Sequence, residues 1–346
     1  MGQKDYQKAP TSFDVARAAG VSQITVSRVF NEKWDGKISG RTRAKVLDAA
    51  MQLGYTKNEI ARVLNLQRTG IVGLIRSNQR SIFYDCLADD LIHIFHENGI
   101  KTMVFEADVG DDINKVMMTA AGYQMDGIIL TAVVLTQRLS SHVVNRQIPI
   151  VLINCMENVE NCHRVYSDNW SGTAQMAEFL HRNGFQRYAY VSTGGSIYRN
   201  HEDRQMGFLE TLAKFPDIQN VSVVEGDLSY ESGLAAADAL LNRPERPEVI
   251  FCANELMALG VMDAARNKYH LSVPDDLSVA GLEDSFMSSL GAYSLTALSQ
   301  QPELLASTAA DVMLQALQNS NLSLQAIPIS QKLIVRNSVR ISDKNV

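Results

Sequence analysis

From Gly70 onward, short apolar runs alternate with amphipathic stretches of helical period, and few architectures satisfy that alternation. Candidate strands fall at Ile71–Ile75, Lys101–Glu106, Gly127–Thr131 and Ile150–Ile153. After Asp168 the pattern restarts, with strands expected at Tyr188–Ser192, Val221–Glu225, Val249–Ala253 and Leu277–Gly281. A short continuous apolar run reads as a strand buried on both faces. Strands separated by helices pair in parallel through right-handed crossovers. Two doubly wound parallel sheets are therefore expected, one per lobe. The halves echo each other: Asn98-Gly99 and Asn183-Gly184 each end a helix just before a strand. In such sheets ligands bind beyond the carboxyl ends of the strands, here the cleft between lobes.

The 346 residues are 46% apolar and 20% charged, which suits globular domains with sizeable cores. Four cysteines without a CxxC pair (Cys86, Cys155, Cys162, Cys252) argue against a disulfide scaffold and for a reducing compartment. Residues 1–10 lack the apolar segment of a secretory signal, and no stretch approaches 18 apolar residues. A cytoplasmic protein without a membrane partner is expected.

Charge is unevenly placed. The first seventy residues hold twelve Lys/Arg against six acids, a net +6 within an overall −6, so the remainder carries −12. A small nucleic-acid-binding head on an acidic body has this asymmetry. Within the head, Thr11–Ala19 places Phe13, Val15, Ala16 and Ala19 at helical spacing, with Thr11 or Ser12 as cap. Gly20-Val21 breaks the pattern, and Ser22 caps a second helix whose apolar positions are Val26, Val29 and Phe30. Two short helices joined by a glycine-containing turn form a helix-turn-helix. Gln23, Ile24, Thr25, Ser27 and Arg28 occupy the start and outer edge of the second helix. There Gln can read adenine, Arg guanine, and Ile a thymine methyl. Ser22, Thr25 and Ser27 suit phosphate contacts, as do Arg41, Arg43 and Lys45 on a third helix capped by Ser39. Asn58–Leu66 is a further helical segment, too short to be stable alone.

The sequence contains no GxxxxGK[ST], GxSxG or GxGxxG, and His93, His96, Cys155, Cys162 and His163 fit no zinc spacing. Neither enzymatic activity nor a metal or other cofactor is expected.

The runs DVARAAGVSQITVSRVFN, LGYTKNEIARVL and TGIVGLI resemble, in order, the head, hinge and body of the LacI/GalR family of bacterial transcription regulators. The resemblance implies an all-α helix-turn-helix DNA-binding head with a hinge helix, followed by an α/β two-lobed body like that of periplasmic binding proteins. It implies a head at 1–57, a hinge at 58–69 and an effector-binding and dimerisation domain at 70–340. The N-lobe would comprise about 70–166 and 299–326, the C-lobe about 167–298 and 327–340. By resemblance Gln23, Ile24 and Arg28 are base-reading, and Asn58, Ala61 and Leu64 lie on the hinge helix, with Leu64 wedged into the minor groove. In the cleft, Arg204 takes the effector-binding arginine position, and Asn254, Glu283, Phe83 and Tyr84 line the site. Asn254 also suits a helix cap, and Phe83 and Tyr84 also suit packing. Two departures stand out: the loop Asn31–Ile38 is longer than the family pattern, and Lys57 stands where the family often has proline. Glu283 replaces the usual Asp.

The implied function is a homodimeric repressor on a pseudo-palindromic double-stranded operator, controlled by a sugar, a sugar derivative or a purine. No leucine heptad follows Arg336, so a dimer rather than a tetramer is expected. The alternative with the same body is a solute-binding protein of the transport type, against which the basic head argues.

Overall fold

The computed structural model of the chain describes residues 10–31, 34–56, 68–77, 81–107, 111–131, 148–155, 159–193, 199–319 and 321–342. It divides into two compact units, Met1–Thr69 and Gly70–Val346. The hinge positions Asn58, Ala61 and Leu64, and Lys57 beside them, lie outside the described residues.

The first unit holds three helices: α1 (Ser12–Ala19), α2 (Gln23–Val29) and α3 (Gly40–Leu53). Thr11 and Asp14 form a reciprocal capping box at the start of α1, and Gly20 ends that helix in the left-handed conformation at φ +65°. Ser22 and Ser39 cap α2 and α3 through the Thr25 and Thr42 amides, each at 3.2 Å. Val15, Ala16, Val26, Val29, Val46, Ala49 and Ala50 are buried together, with Phe30, Ile38 and Tyr55 packed against them. Phe13 differs from expectation: it is 57% exposed, with the Arg17 guanidinium 5.2 Å from its ring centre. At 100° per residue it points roughly 110° away from the mean direction of Val15, Ala16 and Ala19, so it cannot share their core.

The second unit holds two six-stranded sheets. The N-lobe sheet contains β1 (Ile71–Ser77), β2 (Lys101–Ala107), β3 (Gly127–Thr131), β4 (Ile150–Ile153), β5 (His163–Ser167) and β11 (Ala326–Ile329). Its order is β11-β5-β4-β3-β1-β2, parallel throughout. The C-lobe sheet contains β6 (Arg187–Ser192), β7 (Asn220–Glu225), β8 (Val249–Cys252), β9 (Ser278–Leu282), β10 (Thr296–Ser299) and β12 (Lys332–Ile334). Its order is β12-β10-β9-β8-β6-β7, with only β12 antiparallel.

Helices α4 (Ile82–Glu97), α5 (Ile113–Gly122) and α11 (Pro302–Gln318) cover the first sheet. Helices α6 (Asn169–Arg182), α7 (Arg199–Leu212), α8 (Tyr230–Leu241) and α9 (Glu255–Asn267) cover the second, and a short α10 (Phe286–Ser289) follows β9. Helices α4 and α6 both end at Asn-Gly. Asn98 and Asn183 each return a side-chain hydrogen bond of 2.8 Å to the carbonyl four residues earlier, and Gly99 and Gly184 follow at positive φ.

The chain passes between sheets three times, near 168, 300 and 330. The third crossing is later than the expected 327, because residues 326–329 form an edge strand of the N-lobe sheet. Pro328 is tolerated there, since the outermost strand has one side free of ladder bonds. One close approach bears on the site. A Cβ on Gly207 of α7 would lie 2.3 Å from the Trp170 carbonyl oxygen of α6, so only glycine lets these helices meet. That contact brings Arg204, one turn earlier on α7, against the start of α6.

Candidate nucleic-acid interface and effector cleft

On the head, α2 presents Gln23, Ile24, Ser27 and Arg28 to solvent while Val26 and Val29 hold it to the core. Ile24 is 63% exposed, a large apolar side chain displayed rather than buried. Gln23 Nε2 donates to Ser12 Oγ at 2.9 Å, tying the outer face of α2 to α1. The Ser22 and Thr25 hydroxyls are 2.9 Å apart at the helix start, where amide groups and the helix dipole favour an anion. Arg41 and Lys45 are exposed on α3, whereas Arg43 is ion-paired with Asp35. The Arg28 guanidinium carbon lies 4.1 Å from the centre of the Trp34 ring. Thus α2 offers an amide, a methyl-bearing chain and a guanidinium on one capped helix, the chemical set that distinguishes base pairs in a major groove.

In the body, Arg204 is 5% exposed. Its Nε donates to Asn169 Oδ1 at 3.0 Å and its Nη1 to the Ala253 carbonyl at 3.1 Å, beside the end of β8. Asn169 Oδ1 also accepts from Gln331 Nε2 at 2.9 Å, so one amide ties the guanidinium to the third crossing segment. Neither Asn169 nor Gln331 is marked by a local motif; Asn169 reads as part of a helix start, and the cap itself is Asp168, accepting from the Ser171 amide at 3.1 Å. The first two crossings are joined to the N-lobe by Asn154, which accepts from the Ser167 amide at 2.8 Å and donates to Gln300 at 3.3 Å.

Glu283 follows β9 at φ +78°, half-buried. Burial pushes its carboxyl up to about 7, against the pull of Arg204 and with a push from Glu255. Glu255 is itself 2% exposed and accepts from the Ser285 and Ser288 amides at 3.1 and 2.9 Å, fixing the turn after Glu283. His201, one turn before Arg204, is pushed down to about 3 by burial and the same guanidinium, and is neutral at pH 7.

Asn254 is occupied at both ends of its amide: Oδ1 accepts from the Met257 amide at 3.0 Å, capping α9, and Nδ2 donates to the Leu228 carbonyl at 2.8 Å. Phe83 is 6% exposed and belongs to the N-lobe core with Leu74, Leu87 and Leu91. Of that pair only Tyr84, packed edge-on against it at 4.8 Å between ring centres, keeps appreciable surface. Among the described residues no group of three His, Cys, Asp or Glu could hold a metal ion, and no helix is long and apolar enough to cross a membrane.

The titration of Glu283 has a measurable consequence. Unfolded, its carboxyl ionises near 4.5; folded, near 7. The stability it supplies is therefore complete below pH 4.5 and is lost as pH rises through 7. Glu283→Gln should remove this slope and raise stability at pH 8 by about 3 kcal/mol, with little change at pH 4.5. Thermal melts of both proteins across this range check it; parallel curves would contradict it.

A helix-turn-helix head followed by a body of two doubly wound lobes, with a buried guanidinium at the strand ends, defines a ligand-responsive DNA-binding regulator. Residues 13–58 match the family of bacterial regulatory proteins of lacI type, and residues 177–339 match the periplasmic binding protein-like domain. Catabolite control protein A of Priestia megaterium is 32% identical over 292 residues, covering 84% of this chain and 87% of that protein. The lac repressor bound to ONPG in its repressed state superposes with a TM-score of 0.82 at 25% identity, over 96% of this chain and 100% of that one. The complex of the regulator CelR with cellobiose gives 0.68 at 26% identity, over 95% and 99%. The chain belongs to the lacI family of bacterial regulatory proteins and is a transcriptional repressor with an effector-binding domain.

Proposed function

We propose that this repressor binds a pseudo-palindromic operator as a homodimer and is switched by a sugar or sugar derivative held in the interlobe cleft. The observation that carries the DNA reading is the outward row Gln23, Ile24 and Arg28 on a capped, core-anchored α2. Two such helices related by a two-fold axis meet adjacent major grooves, which makes the half-sites inverted copies. Ser22, Thr25, Ser27, Arg41 and Lys45 take phosphates, with Arg43 orienting through Asp35, and Leu64 of the hinge wedges the minor groove.

The effector reading is supported by the buried Arg204 and by Glu283 facing its field. A fork of N–H donors and a carboxyl that is half ionised near neutral pH suit vicinal hydroxyls, which both donate and accept. Tyr84 supplies an aromatic wall with Phe83 behind it, and Asn254 holds the α9 start in place. The cellobiose complex of CelR supports the sugar reading. Ligand closure of the lobes shifts the hinge segments between two arrangements, and DNA affinity follows.

A thermal-shift panel of free sugars, sugar phosphates, sugar acids and purines on the full-length protein tests the effector class. A saturating sugar-type ligand should raise the melting temperature by several degrees. A purine hit alone would overturn the sugar reading, and no hit would overturn small-molecule control.

A further inference from the structure

We infer that Trp34 is a positioning residue for base recognition: its indole holds the Arg28 guanidinium in the plane from which that fork reads a base. The inference rests on the proposed base-reading role of Arg28. Arg28 lies in the last turn of α2, and its guanidinium carbon stands 4.1 Å from the Trp34 ring centre, while Lys37 Nζ stands 5.4 Å from the same ring. The indole is itself held. The Trp34 amide donates to the Asn31 carbonyl and the Lys37 amide to the Trp34 carbonyl, both at 3.0 Å, forming a turn that Gly36 completes at φ +76°. On either side of this turn Phe30 and Ile38 pack against the head core, and Asp35 is ion-paired with Arg43 on α3. Residues 34–38 thus form a braced platform, half-buried at Trp34.

The geometry decides what the platform can do. A guanidinium attracted to a ring face uses its π-surface, which leaves its in-plane N–H donors free. Those edge donors are the ones that pair with O6 and N7 of guanine. An exposed arginine spreads over many rotamers, and ordering it on binding costs affinity; stacking on Trp34 meets that cost in the free protein. Trp34 therefore acts through Arg28 and sharpens preference at one base pair of each half-site.

The test uses the full-length protein throughout. Selection from duplexes with randomised half-sites gives the preferred sequence, and fluorescence anisotropy then measures affinity for every single-base-pair variant of it. Arg28→Ala identifies the pair that Arg28 reads. Trp34→Ala should lower preference at that same pair about five-fold, leaving other positions and the salt dependence unchanged. Trp34→Phe, which keeps an aromatic face, should recover most of it. Unchanged preference at that pair in Trp34→Ala overturns the inference, as does an equal loss at every position, which a merely structural role would give. If Arg28→Ala alters no preference, the base-reading role of Arg28 fails and the inference falls with it.

Discussion

Arg28→Ala is expected to produce the largest loss in DNA recognition of any single change in the head. A bidentate arginine contact to guanine discriminates by about 1–3 kcal/mol. The proposed dimer would make it twice, so about 2–6 kcal/mol of specific binding should go, roughly 30-fold to more than 10⁴-fold in affinity. The same variant should leave the head folded. Arg28 is exposed, its contact with Trp34 is worth about 1 kcal/mol at most, and the core under α2 is made by Val26 and Val29. Binding to unrelated duplex should fall far less, because sequence-independent affinity comes from phosphate contacts, here proposed for Arg41, Lys45 and the helix starts. Anisotropy titrations against the selected duplex and a scrambled one, over a range of salt, separate the two effects. Equal losses on both would mean that Arg28 contacts phosphate.

Arg204→Ala should be the most damaging change in the body. The guanidinium is 5% exposed, holds Asn169 and the Ala253 carbonyl, and sets the field at Glu283 and His201. Truncating one partner of a buried charged hydrogen bond costs about 2–5 kcal/mol of binding, so affinity for the sugar found by thermal shift should fall by about 30-fold or more. Without the cation, the Glu283 carboxyl rises further and is protonated at pH 7. Leaving the Ala253 carbonyl without this donor should also cost about 1–3 kcal/mol of stability. Ligand-free DNA binding should survive, since the head carries its own core. Calorimetric titration of the ligand, paired with DNA binding in its absence, checks both halves. Unaltered ligand affinity would place the effector elsewhere.

Much of this architecture is legible because it is local. Period-3.6 apolar stripes with Ser, Thr and Gly at their ends mark α1 to α3, and continuous apolar runs mark strands such as β3, β4 and β8. What escaped is short or edge-placed. The five-residue β5 alternates buried and half-buried positions, and β11 and β12 are three or four residues at the sheet margins. Their strand character comes from partners supplied by distant chain, not from their own pattern. The boundary expected near 327 falls inside β11 for the same reason, an edge strand that also accommodates Pro328.

The candidate sites divide in the same way. Arg204 and Glu283 stand out by their motif, while Asn169 and Gln331, 162 positions apart, meet only because the chain returns to the crossing. Asn254 shows the converse: a residue marked for the cleft spends both ends of its amide on a helix cap and a loop carbonyl. Phe83 likewise is drawn into the core by the Leu74 and Leu87 packing, which a sequence pattern cannot distinguish from a cleft wall.

Operator selection and ligand control can be read in one measurement. Full-length protein is used to select duplexes from a randomised library, and affinity for the enriched duplex is then measured with and without the sugar that shifts the melting temperature. The expected result is an inverted-repeat consensus and a change in affinity of tenfold or more on adding that sugar, abolished in Arg204→Ala. Enrichment without a consensus, or an affinity that the ligand leaves unchanged, would contradict it.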